Sequence, residues 1–204
     1  MIQAIMRAAL LTIALLLPGC SHPARDIALY DIAPAPTAQS LPFPILLEPF
    51  DSAPPYTRKE LLYRLDYAGG QLRPYANSAW RTPPDILLAA ALQQAGGGNL
   101  RTLDSSPQRA RCALRVGLAH FEQVFSDEKN SRAEVEVHFT LVQLRNHREL
   151  KRDGLRLQVA AATSDARGGA QALQEAGQQA AGRIVTWLNE SLAAPGTVRA
   201  ACAP

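Results

Sequence analysis

The sequence predicts an α+β fold: a single domain with a largely antiparallel or mixed β-sheet, packed by a short helix and a long C-terminal amphipathic helix. Three observations support this prediction. Residues 134–144 alternate apolar and polar side chains with the period of two that a half-buried strand requires. Residues 165–192 repeat apolar side chains at helical spacing. A mature chain of roughly 185 residues is long enough for one hydrophobic core.

The first twenty residues resemble the signal of an exported, lipid-anchored protein. Residues 8–17 form an apolar run that follows Arg7 and is too short to span a bilayer, which needs about 20 residues. Leu17-Pro18-Gly19-Cys20 ends this run and places a thiol where a lipid can be attached. We interpret residues 1–19 as a lipoprotein signal peptide and Cys20 as lipidated. An ordinary cleaved signal and a retained apolar N-terminus are the alternatives.

The residues after Cys20 indicate a location and a tether. Ser21 stands where an aspartate usually retains such proteins in the inner membrane, so we expect anchoring in the outer membrane, facing the periplasm. Residues 20–40 are rich in alanine and proline and lack an apolar period, which favours a tether. Some 20 flexible residues span roughly 25 Å on average, so the predicted domain, residues 41–204, can stand away from the membrane.

Composition excludes one class of partner. The chain has 21 Lys and Arg against 18 Asp and Glu, and removal of the signal peptide takes away only Arg7 among the charged residues. The basic residues are scattered along the sequence. Nucleic-acid binding requires a concentrated basic face, so we do not expect nucleic acid as a partner.

The two remaining cysteines suggest a covalent link. With Cys20 lipidated, Cys112 and Cys202 are left over in an oxidising compartment, where disulfides form and persist. A bond between them would hold the Ala- and Gly-containing tail, residues 193–204, against the domain. The alternative is two unpaired thiols, one in a buried strand and one in a frayed tail.

The N-terminal half of the domain reads as short strands followed by a helix. Residues 45–50 form a short apolar run bounded by prolines, which predicts a strand at or near a sheet edge. Residues 61–67 and 71–75 flank Gly69-Gly70 and predict a β-hairpin, with Tyr63 and Tyr67 on the inward face. Thr82 is expected to cap a helix that continues to residue 94 and ends at the glycines 96–98.

The C-terminal half reads as a meander followed by the long helix. Residues 114–125 predict a strand with a bulge near His120, residues 134–144 a second strand, and residues 155–159 a return strand. We expect these three consecutive strands to pair with their neighbours as an antiparallel meander with one solvated face. The helix over residues 165–192 contains small residues that allow close packing on this sheet.

No motif for catalysis, metal binding or a cofactor stands out. The glycines at 96–98 follow a helix and lack the Lys-Ser or Lys-Thr of a phosphate loop. The histidines show no metal-ligand spacing, and no Gly-x-Ser-x-Gly elbow is present. Glu134 and Glu136 share a strand face and could act as an acid-base pair, but a charged outer face explains them better. We therefore predict a protein without catalytic residues, metal or cofactor.

The order of these landmarks is similar to that of the ABC-type transport auxiliary lipoproteins. The residues that carry the resemblance span most of the mature chain, and each is weak alone: Cys20; Tyr63 and Tyr67; Tyr75, Trp80 and Pro83-Pro84; Cys112 with Leu114-Arg115-Val116; Phe121-Glu122-Gln123 with Phe125; and Trp187-Leu188. Pro18 in the lipidation motif and Ser126 after Phe125 depart from the family pattern.

The resemblance implies a non-catalytic accessory subunit of an ABC transport system. Its partner would be a substrate-binding subunit of the mammalian-cell-entry type, and its cargo phospholipid or other hydrophobic molecules moved between membranes. Homo-oligomer formation is left open. The alternative is an outer-membrane lipoprotein that activates a cell-wall synthase or aids envelope assembly. We expect the docking face around residues 73–81 and 127–132, with the candidate contacts Arg73, Tyr75, Trp80 and Arg81.

Overall fold

The computed structural model describes residues 26–33, 39–102 and 110–204. Within these residues, nine strands form one mixed sheet accompanied by three α-helices, which confirms the predicted fold class. The strands are β1 (Ala28–Tyr30), β2 (Ile45–Leu47), β3 (Asp51–Ser52), β4 (Glu60–Leu65), β5 (Gln71–Trp80), β6 (Leu100–Arg101), β7 (Cys112–Phe125), β8 (Ser131–Gln143) and β9 (Arg148–Ala160). The helices are α1 (Pro84–Ala95), α2 (Ala166–Ala193) and α3 (Thr197–Cys202).

Strand β7 organises the sheet. On one edge it pairs antiparallel with β8, which pairs in turn with β9, so the predicted three-stranded meander is confirmed. On its other edge β7 pairs in parallel with three short strands, first β2, then β3, then β4. The register shifts between Leu118 and His120, where the sequence predicted a bulge.

Strands β4 and β5 form the predicted hairpin. Gly69 and Gly70 in its turn have φ angles of 76° and 68°, a region in which a side chain would be strained. Strand β2 was predicted at or near a sheet edge, and it is the strand next to the edge strand β6. It is hydrogen-bonded to β7 on one side and to β6 on the other, and all three of its residues are buried. Its uninterrupted apolar run therefore marks an interior strand.

Helix α2 covers one face of the sheet, and its bounds agree with the predicted helix. Its N-terminus is capped by Asp165, whose carboxylate accepts a 2.8 Å hydrogen bond from the backbone N–H of Gly168. Glycines bring the helix close to its neighbours: a Cβ added at Gly169 would lie 1.8 Å from the side chain of Gln123. The opposite face of the sheet, which we call the open face, carries most of the charged side chains of β7, β8 and β9.

Helix α1 begins with a different cap from the one predicted. Pro83 occupies the N-cap position and makes no side-chain hydrogen bond to the helix. Pro84 is the first helical residue, where its missing N–H is not needed. Pro83 and Pro84 therefore fix the backbone at the start of α1, and Thr82 lies one residue before the N-cap position.

The folded part of the chain begins earlier than the predicted boundary at residue 41. Residues 28–30 form β1, which pairs in parallel with the end of β5, with Tyr30 opposite Trp80. Ile32 is buried beneath α2. The alanine- and proline-rich composition of residues 20–40 concealed this short apolar alternation. Residues 20–25 and 34–38 of the predicted tether lie outside the described residues.

The C-terminal segment is joined to the start of β7. A disulfide links Cys112 and Cys202, whose Cα atoms are 5.2 Å apart, so the structure contains the paired form of the two alternatives. Both cysteines are buried. Arg199 of α3 donates a 3.0 Å hydrogen bond to the carbonyl of Leu192, near the end of α2. The tail therefore folds as a short helix against the domain.

Candidate functional site at the hairpin end of the sheet

Three turns meet at one end of the sheet, which we call the hairpin end: residues 66–70, 126–130 and 161–165. The first two are neighbours because Leu65 of β4 pairs with Phe125 of β7. Nη2 of Arg132 lies 3.8 Å from Oδ2 of Asp66, which links these turns by charge. The third turn joins them through a 3.0 Å hydrogen bond from the N–H of residue 161 to the carbonyl of residue 131.

The turn between β7 and β8 is held by Asp127. Its carboxylate accepts hydrogen bonds of 2.8 Å from the backbone N–H groups of both Lys129 and Asn130. Hydrogen bonds from the side chain of Asn130 and from these N–H groups hold the pKa of Asp127 below its ordinary value. The turn is therefore fixed in shape, and the side chains of Glu128 and Lys129 are exposed.

The hairpin end presents an aromatic ring and a cation to solvent. Tyr67 is 51% exposed, which corrects the prediction that it faces inward. It lies in a short 3-10 turn after β4, where the strand alternation that predicted its orientation has ended. Arg73 of β5 is exposed and donates a hydrogen bond to the side chain of Gln71. Both residues are free to contact a partner from this end.

Tyr75 supports this end from below. Its ring lies 4.6 Å from that of Tyr63, centroid to centroid, and its hydroxyl donates a 2.8 Å hydrogen bond to Oε1 of Gln123. Burial raises the pKa of Tyr75, so the hydroxyl stays protonated. Gln123 is itself fully buried and donates to Oγ of Ser131. Tyr75 therefore positions the hairpin against β7 and has only part of its surface available for docking.

Trp80 and Arg81 do not join Arg73 in one surface. Trp80 is fully buried, with ring centroids 6.5 Å from Tyr30 and 5.4 Å from Phe121, so its predicted role as a docking contact is wrong. Arg81 is exposed and pairs with Asp31 at 3.2 Å. It lies eight residues beyond Arg73, roughly 25 Å away at about 3.3 Å per strand residue.

The open face of the sheet carries a buried carboxylate beside the hairpin end. Glu122 has no exposed surface, and its Oε1 accepts hydrogen bonds from Nε and Nη2 of Arg64 at 3.0 and 2.6 Å. Its Oε2 accepts a 2.5 Å bond from the hydroxyl of Tyr56, and Nδ1 of His120 lies 3.0 Å from Oε1. The hydrogen bond to Glu122 raises the pKa of the Arg64 guanidinium, so the cation persists.

A second buried carboxylate lies opposite the first. Glu134 of β8 pairs in register with Glu122 and is 4% exposed. Burial alone would raise its pKa, but hydrogen bonds from Arg156 and Gln158 and the charge of Arg132 bring the pKa below its ordinary value. The expectation that Glu134 is a solvated surface charge was wrong. Two of its partners, Arg156 and Gln158, lie on β9, and the sequence of that strand did not indicate that they would cover a carboxylate.

The remaining predicted sites lie elsewhere. Cys20 is outside the described residues. His138 is exposed on the open face, with Nε2 3.4 Å from Glu136. In residues 26–33, 39–102 and 110–204, no group of three or more His, Cys, Asp or Glu side chains is placed to hold a metal ion. Among the helices in these ranges, none is both long and apolar enough to cross a bilayer.

Comparison with protein families gives one match over most of the described domain. A family model described as ABC-type transport auxiliary lipoprotein component matches residues 29–185, from β1 to the second half of α2. None of the curated proteins matches the chain.

Two solved structures with TM-scores above 0.6 support the fold, and a third aligns less well. A Xanthomonas campestris protein of the DUF330 family is 17% identical, with a TM-score of 0.67 over 80% of this chain and 95% of its own. An uncharacterised protein is 11% identical, with a TM-score of 0.61 over 80% of this chain and 99% of its own. A PelC dodecamer from Paraburkholderia phytofirmans aligns with 14% identity and a TM-score of 0.42, over 75% of this chain and 92% of its own. At these identities the likeness concerns the fold alone.

Proposed function

The chain belongs to the family of ABC-type transport auxiliary lipoprotein components, and from this premise we propose that it is a non-catalytic accessory subunit of an ABC transport system. It would act with a substrate-binding subunit of the mammalian-cell-entry type, in moving phospholipid or other hydrophobic molecules between membranes. The observation that carries this proposal is the family match, which extends over the sheet, α1 and most of α2.

The proposed location is the outer membrane, with the domain facing the periplasm. Cys20 would carry the lipid anchor, since it ends a short apolar run in the position of a lipidation motif. Several acyl chains on one residue exceed the two-chain requirement for stable attachment. Anchoring confines the domain to a thin layer, which raises its effective concentration for a weakly binding partner.

The proposed docking face is the hairpin end, with Tyr67, Arg73 and Lys129 as its exposed contacts. Tyrosine and arginine are enriched among the residues that dominate binding energy at interfaces. Asp127 fixes the turn that carries Lys129, and the hydrogen bond from Tyr75 to Gln123 fixes the hairpin that carries Tyr67 and Arg73. The entropy cost of ordering this surface on binding is therefore small. Tyr75 and Gln123 have a positioning role there.

Crosslinking in the native envelope tests the partner. The lipidated chain is captured with its neighbours, and the captured proteins are identified by mass spectrometry, with Cys20→Ala as the unanchored control. Recovery of a mammalian-cell-entry subunit that decreases with Cys20→Ala supports the proposal. Recovery of a cell-wall synthase, or of no transporter component, overturns it in favour of the alternative function.

A matched set of variants tests the docking face. Tyr67→Ala and Arg73→Ala remove exposed side chains at the hairpin end, and Ile86→Ala removes a side chain that is 56% exposed on α1, outside the hairpin end. We expect the first two to reduce capture of the transporter subunit and the third to leave capture unchanged. Equal capture by all three variants would remove the hairpin end as the docking face.

A further inference from the structure

Strand β1 and the residue before it present two large apolar side chains to solvent. Ile27 is 55% exposed and Leu29 is 63% exposed. Within the described residues, Tyr67 and Ile86 are the other large hydrophobic residues with comparable exposure. Ile27 and Leu29 lie two residues apart in one segment. This segment contains β1, the edge strand with which the described domain begins.

Their exposure is fixed by the register of β1. Tyr30 packs against Trp80, and Ile32 is buried beneath α2, where a Cβ added at Gly177 would lie 3.1 Å from Cδ1 of Ile32. Because side chains alternate along a strand, Ile27 and Leu29 face away from this core. If β1 shifted by one residue against β5, Ile27 and Leu29 would turn inward and Tyr30 and Ile32 would turn to solvent. The domain therefore buries one pair of side chains or the other.

The register is held by contacts with β5 and with Arg81, the residue directly after β5. Ala28 and Tyr30 pair with Ser78 and Trp80 of β5. The N–H of Arg81 donates a 2.8 Å hydrogen bond to the carbonyl of Tyr30, and the guanidinium of Arg81 lies 3.2 Å from Asp31. The exposed apolar pair is therefore part of an ordered segment.

The distance to the predicted anchor is short. Six residues lie between Cys20 and Ile27, and the seven steps from one to the other span at most about 25 Å. A domain that begins at residue 28 cannot stand as far from a lipid on Cys20 as one that begins at residue 41. With a lipid on Cys20, the first strand of the domain would lie within about 25 Å of the membrane surface.

We propose that Ile27 and Leu29 lie in the interfacial layer of the membrane that holds the lipid on Cys20, so that the β1 edge of the domain faces the bilayer. This inference rests on the lipidation in the proposed function. A lipid surface suits the pair because it buries apolar side chains without requiring a shaped groove. A partner strand added to this edge is disfavoured, since β1 has three residues and short edge strands offer few hydrogen bonds for pairing.

Fluorophores attached to single introduced cysteines test the proposal. The lipidated chain, with Ile27→Cys, Leu29→Cys or the control Ile86→Cys labelled with a polarity-sensitive dye, is placed in phospholipid vesicles that carry nitroxide quenchers on the lipids. All three positions are exposed, so the substitutions leave the core intact. We expect a blue-shifted, strongly quenched signal at residues 27 and 29, and a solvent-like signal at residue 86.

The outcomes separate failure of the inference from failure of the proposed function. Mass spectrometry of the same sample reports whether Cys20 carries lipid, and a free thiol there would overturn the lipidation itself. A lipidated chain with solvent-like signals at residues 27 and 29 would overturn the inference alone. A disulfide that joins two unlabelled copies of the Leu29→Cys chain, with no lipid quenching of the labelled chain, would assign the edge to self-association and overturn the inference as well.

Discussion

Glu122 and Glu134 face each other across β7 and β8 with both carboxylates buried, and each is paired with an arginine from a different strand. Arg64 of β4 bonds Glu122, and Arg156 of β9 bonds Glu134. Residues directly opposite on antiparallel strands have Cβ atoms about 5 Å apart, so two unpaired carboxylates would repel strongly. The two arginines therefore tie the outer strands to the centre of the sheet.

Removal of Arg64 tests this arrangement. Arg64→Met leaves Glu122 buried without its guanidinium partner, and loss of one partner of a buried pair costs about 3 kcal/mol or more. Arg152→Met removes the exposed partner of Glu149 and should change stability by less than about 1 kcal/mol. Urea unfolding of both variants measures the difference, and similar midpoints would contradict the inferred role of Arg64.

Acid should destabilise the domain through Glu134. Its pKa is lowered in the folded state, so its contribution to stability is present above the ordinary value near 4.5 and is lost as the pH falls through the folded pKa. We expect the free energy of unfolding to fall more steeply below pH 4.5 in the parent chain than in Glu134→Gln. Urea unfolding at a series of pH values measures the slope. Glu128→Gln, at an exposed turn position, should keep the parent slope, and equal slopes in all three chains would refute the role of Glu134.

Two glycines of α2 should respond in opposite ways to alanine. Gly169→Ala directs its Cβ into the buried, hydrogen-bonded side chain of Gln123, and overpacking of this kind costs about 1 to 3 kcal/mol. A Cβ at Gly182 meets nothing within 4 Å, so Gly182→Ala should stabilise the helix by about 0.5 to 1 kcal/mol. Thermal unfolding distinguishes the signs, and a stabilised Gly169→Ala chain would show that Gln123 can move aside.

The disulfide should contribute to stability through the long loop it closes. The loop spans a sequence separation of 90 residues, and disulfides typically contribute about 2 to 4 kcal/mol. We expect a Cys112→Ala and Cys202→Ala double variant to unfold at lower urea concentration. The urea midpoint of the parent chain should also be lower when a reductant is present. An unchanged midpoint in both samples would mean that the packing of α3 alone holds the tail.

Periodicity in the sequence was sufficient to predict the strands and helices that bury one face and expose the other. Val135, Val137 and Phe139 alternate with polar residues, and this pattern alone locates β8. The same reasoning missed β1, because three strand residues within an alanine- and proline-rich segment give no measurable period. It placed β2 at or near an edge, and β2 is the strand next to the edge strand β6, but an apolar run does not reveal how many neighbours a strand has.

The candidate site was harder to predict because it depends on contacts between distant segments. Trp80 and Arg73 belong to one strand, but Trp80 is buried because its ring packs against Tyr30 and Phe121. Burial of Glu134 requires cations from two strands, Arg156 of β9 and Arg132 of β8, and no local pattern in the sequence predicts that they meet. Tertiary packing decides such positions, and propensity does not.

The position of β7 has a consequence for how the chain reaches its fold. Strands β2, β3 and β4 each find their partner on β7 roughly 60 residues later in the chain, and pairing over such separations slows folding. Because synthesis proceeds from the N-terminus, Ile45, Leu47 and Leu61 are made before the strand that covers them. Their apolar side chains stay without these native contacts until β7 has been made, so the completion of β7 at Phe125 is the step that allows the N-terminal half of the sheet to form.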